Sequence, residues 1–251
     1  MSDFNRNMAG RGYAGQAAAV DAGLRAYMLR VYNYMAAAVA LTGVVAWLCF
    51  QNAVVTNEAG AITGLTSFGQ MLLGGYTPIV LMLATLGLVF FISFRIHTLQ
   101  YTTALALFMF YAALLGAALT SVLVAYTGAS VARVFFISAA SFGALSLYGY
   151  TTQRDLSAMG SFLIMGLFGI IIASLVNIFL KSSGLDWAIS VIGVGVFAGL
   201  TAYDTQRIKE MYDSMDDDGT MGRKAVMGAL SLYLDFINLF LMLLRLVGDR
   251  R

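Results

Sequence analysis

The stretch ALSLYLDFINLFLMLLRLVG (229–248) decides how this chain is read, because it holds a carboxylate, Asp235, inside an apolar run. The run extends from Ala225 to Val247. At about 1.5 Å per helical residue, that length crosses a hydrocarbon core of about 30 Å. A charge at the centre of such a helix costs about 2.5 to 3.5 kcal/mol on insertion scales, so Asp235 is expected to face protein rather than lipid. Ser231, Asp235 and Asn238 fall on one helical face at four- and three-residue spacing, and that face is expected to point inward.

The rest of the chain has the same character. Of its 251 residues 60% are hydrophobic and 11% charged, with a mean hydropathy of +0.80. Soluble domains carry about 25% charged residues, so composition excludes an ordinary soluble enzyme. The net charge of +2 is uninformative beside its clustering in short segments between the apolar ones, no nucleic-acid partner is expected, and the single cysteine, Cys49, cannot form an internal disulfide. MSDFNRNMAGRGYAG (1–15) has arginines but no early apolar run and does not read as a signal peptide. Residues 1–25 read as a polar, flexible, cytoplasmic segment, and 26–251 as one membrane domain.

Seven apolar stretches are long enough to span, at about 31–50, 77–96, 101–125, 132–150, 161–180, 187–205 and 226–247. This is an all-α integral membrane protein. Pro78 falls at the start of the second stretch, where its missing N–H is harmless. The short YTGAS (126–130) predicts an antiparallel pair, and the frequent Gly, Ser, Thr and Ala suit close helix packing in lipid.

Arg6, Arg11, Arg25 and Arg30 precede the first span, and Arg207, Lys209, Arg223 and Lys224 lie between the sixth and seventh. That bias puts the N-terminus in the cytoplasm. A full seventh crossing then leaves Arg245, Arg250 and Arg251 outside, against the rule, whereas a re-entrant helix would return them. Length favours the full span, which is the expectation taken here.

Asp204 closes the apolar run of the sixth stretch, either inside that helix or in the loop just beyond it. Adjacent antiparallel sixth and seventh helices bring it to Asp235 only if the seventh is offset along the axis. Gly195 and Gly199 permit a close neighbour. Two readings stand for Arg95, at the end of the second span: a snorkelling cation, or an ion-pair partner inside the bundle. Asn177, with Ser231 and Asn238, is a candidate supporting polar residue, although packing glue is the plainer role. No HExxH, CxxC, phosphate-binding glycine pattern or serine-nucleophile motif occurs, and an enzyme is not expected.

GVFAGLTAYDTQRIKEMY (195–212) and ALSLYLDFINLFLMLLRLVG (229–248) resemble the Bax inhibitor-1 family, bacterial members included. FFISFRI (90–96) and GSFLIMGLFGIIIASLVNIFL (160–180) agree, and the likeness covers the chain after about residue 25. The resemblance implies six helices surrounding a central C-terminal seventh in a bacterial inner membrane. It further implies a pH-sensitive calcium leak in which Asp204 and Asp235 form a dyad, with Arg95 as its latch. No tightly bound cofactor is implied; Ca²⁺ would be a permeating or weakly held ion, with protons and the lipid bilayer as the other partners. The sign of the pH response stays open. The alternative is an interaction protein that modulates an integral-membrane protease, in which case the Asp pair is structural. The basic tail of eukaryotic members is reduced here to LVGDRR (246–251).

Overall fold

The computed structural model describes residues 2–57 and 61–251, with side chains from residue 21 onward. The expectation for residues 1–25 falls mostly on side chains outside the described residues. The order is α1 (Ser2–Ala53), β1 (Val54–Thr56), β2 (Ile62–Leu65), α2 (Ser67–Leu73), α3 (Thr77–Arg95), α4 (Tyr101–Ala125), α5 (Gly128–Thr151), α6 (Ser157–Leu180), α7 (Ser183–Glu210) and α8 (Asp218–Val247). Seven of these helices are long and apolar enough to cross a membrane, as expected. The connection at 51–76 holds structure that hydropathy does not reveal: a two-stranded antiparallel hairpin, β1 with β2, and the short α2. Thr66 starts α2 by accepting from the Gly69 N–H.

Local chemistry sets the helix ends. Pro78 opens α3 as the sequence predicted. Thr127 caps α5, Ser182 caps α7, and Asp217 caps α8 by accepting from the Gly219 and Thr220 N–H groups. Between α6 and α7 the chain turns through Lys181, which closes α6 in the left-handed conformation at φ +49°.

The most buried helix is α8. It packs directly on α1, α4, α5 and α7, while α3 leans on α4 and α6 on α7. The implied ring of six is therefore two-tiered. α3 and α6 present apolar side chains such as Phe94 and Phe179 outward, as lipid-facing helices do. One continuous core runs along α8 through Leu230, Tyr233, Phe236 and Leu239. Tyr233 is held by the Phe108 and Tyr111 rings and by a 2.6 Å hydrogen bond to Thr42 Oγ1. A second apolar cluster of Tyr126, Val134, Phe240 and Leu244 closes the far end.

The end of α8 answers the question of re-entry. The helix is continuous for 30 residues, about 45 Å. The tail beyond it joins the α4–α5 turn: Thr127 N–H donates to Asp249 O at 3.0 Å, and Arg251 N–H to Ala125 O at 3.0 Å. The C-terminus thus lies at the opposite end of the bundle from the α7–α8 loop. Its cations are matched by acids there, Arg133 with Asp249 at 3.0 Å, and Arg245 and Arg250 with Asp186 at 3.8 and 4.0 Å. Hydrogen bonding to Tyr126 pushes the Arg250 guanidinium above its ordinary range. These pairs are exposed and worth little stability, but they reduce the unbalanced charge that made this end look anomalous.

Candidate functional site

Asp204 lies inside a helix, not in a loop, because α7 continues past it to Glu210. Two contacts fix the register of α7 against α8. Gly228 sits against the Ile208 side chain, and Gly193 against Met242. The two helices run antiparallel, and this register sets Asp204 less than one turn from the level of Asp235. Their carboxyl groups come within hydrogen-bonding reach of each other. The axial offset that the sequence required is real, but a loop does not supply it. Instead the first turns of α8, from Asp218, overhang the end of α7. Asp235 is consequently central in α8 yet only about 13 Å from the loop end of α7.

Asp235 is buried at 5% exposure, and among the described residues its Oδ2 is a buried oxygen with no hydrogen-bond partner. Such an atom is expensive to leave unmatched. Asp204 is half-buried. Its cationic neighbour is Arg207, three residues on along α7.

The supporting residues separate. Ser231 and Asn238 are half-buried on α8, and the Asn238 amide is spent on its own helix, donating to Leu234 O at 2.8 Å. Asn177 is far from the pair: its Oδ1 accepts from the Ser182 N–H at 2.9 Å in the α6–α7 turn, at the other end of α7. Gly199 does receive a close neighbour, the Leu163 side chain of α6, while Gly195 faces open space.

In this conformation Arg95 stands apart from the pair. It is exposed in the last turn of α3, and among the described residues no ion pair joins it to Asp204 or Asp235. The reason is the two-tiered packing, which puts α4 under α3 and keeps α3 away from the α7–α8 seam. Of the two readings for Arg95, this conformation fits the snorkelling one.

Two features around the pair escaped sequence reading. A hydroxyl chain crosses three helices, Tyr32 to Ser146 at 2.6 Å and Ser146 to Thr205 at 2.9 Å. Beside it, buried Gln206 clamps the α5–α6 loop. Its Oε1 accepts from the Leu156 N–H and its Nε2 donates to Arg154 O, both at 2.8 Å. TAYDTQR (201–207) shows these polar residues, but not which neighbour each would meet. Among the described residues no group of three or more His, Cys, Asp or Glu could hold a metal ion. A cation at the Asp pair would have two carboxylates and would need water or carbonyl oxygens for the rest of its shell.

Comparisons with known proteins agree with this architecture. The family described as inhibitor of apoptosis-promoting Bax1 matches residues 24–251. An uncharacterised protein of Rickettsia prowazekii, RP147, is 51% identical over 236 residues, 92% of each chain. The inner membrane protein YbhL of Escherichia coli K12 is 47% identical over 232 residues, 92% of this chain and 94% of its own. An uncharacterised Caulobacter vibrioides protein is 45% identical over 258 residues and spans both chains fully. Matched from the start of its first membrane helix to its last residue, the chain belongs to the Bax inhibitor-1 family.

Proposed function

We propose that this protein is a pH-sensitive cation leak, calcium being the expected ion, gated by Asp204 and Asp235 in a bacterial inner membrane with the N-terminus in the cytoplasm. The observation that carries the reading is the buried carboxylate of Asp235, partnerless at Oδ2 and opposed to Asp204 across the α7–α8 seam. A buried carboxyl pair binds protons as a unit, and one proton held between two carboxylates makes a charge-assisted hydrogen bond that ties the helices together. A cation reaching the pair would compete with that proton. Beyond the pair, the Tyr126, Val134, Phe240 and Leu244 cluster packs around α8, and on this reading it is the seal of a closed state. Conduction would require α8 to shift within its four contacting helices. The location rests on the resemblance to the E. coli inner membrane protein, and the orientation on the Lys and Arg bias.

The test is dye-reported or ⁴⁵Ca uptake into proteoliposomes from about pH 5 to pH 8, a range wide enough to follow a coupled pair. Asp204→Asn and Asp235→Asn keep size and hydrogen bonding but remove the titration. Each should flatten or displace the pH profile, and the double substitution should add less than the sum of the two. Arg95→Ala should leave the leak unchanged, since Arg95 does not reach the pair. If both Asn variants keep the parent's amplitude and profile at equal incorporation, the pair is structural and the leak reading fails.

A further inference from the structure

α1 and α5 both pack on α8 but leave a furrow between them along almost the whole height of the bundle. Three cavities follow one another there. The first, about 490 Å³, runs from Arg25 and Tyr150 to Phe142; the second, about 290 Å³, shares Phe142; the third, about 350 Å³, continues to Trp47 and shares Phe135 and Phe236 with the second. From Arg25 to Trp47 the α1 wall is about 33 Å long, which is the thickness of a hydrocarbon core.

Small residues interrupt the walls between larger apolar ones, Gly43 on α1 and Gly128 and Gly143 on α5 among them, and a Cβ built on any of the three meets nothing within 4 Å. Small residues on facing membrane helices ordinarily bring the backbones together. Here they hold a space open. Most of the lining is apolar, and the polar groups gather at one end, where Arg25 borders the first cavity. Lys209 lies there too, donating to Tyr150 O at 2.9 Å with its ammonium 5.5 Å from the Tyr150 ring centre. Tyr32 and Ser146 span the furrow with their 2.6 Å hydrogen bond. A helix, about 10 Å across with its side chains, cannot lie between walls that approach so closely. A single hydrocarbon chain can.

We infer that the α1–α5 furrow is a lipid-binding site that takes an acyl chain of an anionic phospholipid, its headgroup held at Arg25 on the side of the α7–α8 loop. The cation at the mouth matches a phosphodiester, and the dry length behind it matches a chain. Phe236 forms part of the furrow floor and follows Asp235 directly on α8, so the bound chain rests against the helix that carries the buried carboxylate.

The experiment is native mass spectrometry of the full chain in mild detergent, offered phosphatidylglycerol, phosphatidylethanolamine or phosphatidylcholine with identical acyl chains. The parent protein should retain phosphatidylglycerol in preference to the other two. Arg25→Gln should erase that preference while keeping a basal retention of all three. Gly143→Leu, which fills the furrow, should lower retention of every lipid by about tenfold. Gly43→Leu fills the third cavity and serves as the second variant if Gly143→Leu does not elute as the parent does. Gly87→Leu on lipid-facing α3, where a Cβ also meets nothing within 4 Å, should change nothing. Equal retention of all lipids by the parent, or undiminished retention by the furrow-filling variants, overturns the proposal. So does a change of oligomeric state in those variants without loss of lipid, which would assign the furrow to a second copy of the chain. None of these readouts involves ion flux, so they stand or fall separately from the leak.

Discussion

Gly149 and Gly143 stand six residues apart on α5 and face opposite situations. A Cβ on Gly149 would lie 2.2 Å from the Ala202 carbonyl oxygen of α7, while a Cβ on Gly143 meets nothing within 4 Å. One face of α5 is locked to α7 by backbone approach, by the Ser146–Thr205 hydroxyl pair and by the Gln206 clamp on the following loop. The other face borders a furrow. A glycine in a membrane helix therefore has two distinct uses, close approach and kept space, and composition does not separate them.

The contrast can be broken experimentally. Gly149→Ala carries the largest expected effect, because the atom it would strike is backbone that cannot rotate aside. We expect destabilisation of about 3 kcal/mol, the upper end of ordinary overpacking, measured as thermal unfolding in detergent. Gln206→Ala comes next. It strips partners from the Leu156 N–H and the Arg154 carbonyl, and about 2 kcal/mol is expected for buried groups left unpaired. Faster proteolysis within 152–156 would locate the loss in that loop. Gly143→Ala should reverse the sign and stabilise by about 0.4 to 1 kcal/mol, since alanine fits without a clash and restricts the unfolded chain. Should Gly149→Ala and Gly143→Ala alter stability alike, the two faces of α5 are equivalent and the comparison collapses.

The smallest effect belongs to the fringe of the locked side. Hydrogen bonds from Ser157 hold the Asp155 carboxyl below the usual carboxylate range. A group depressed in the folded state contributes stability that is fully present above its unfolded value, about 3.9. That contribution disappears as pH falls through the lower folded value. Asp155→Asn should make the α5–α6 loop insensitive to acid in that window, which hydrogen exchange of residues 152–157 can follow. Full exposure of Asp155 keeps the effect slight, and a large change there would show that the loop is held by charge rather than by Gln206.

Hydropathy revealed all seven spans, because each helix must satisfy lipid along its own length, a property written locally in the chain. The inward-facing Asp235 followed from the same local argument. What failed to show is relational. Asp204 lies in helix because α7 continues to Glu210, and how far it sits from Asp235 depends on the overhang of α8, which is set by packing at Gly228 and Gly193. Arg95 was joined to the pair through family resemblance, and the chain's own packing keeps α3 one tier away. Asn177 looked like a buried polar residue yet serves a turn. The hairpin at 54–65 was missed because its strands are three and four residues long, too short for a period-2 pattern.

The helix at the centre of the bundle is also the last of the seven membrane helices to be synthesised. A chain emerging from the ribosome lays down α1 through α7 before the residues that pack against all four inner helices exist, at about 5 to 20 residues per second. For seconds the bundle has walls and no axis, and Tyr111, Phe108 and Phe142 wait for partners from α8. Assembly thus proceeds from the outside inward, with a buried acid inserted late and residues 249–251 tying down the α4–α5 turn. A nascent chain stopped even 20 residues short would lack the half of α8 that carries Tyr233, Asp235, Phe236 and Leu239, and cellular quality control could recognise it by that missing centre.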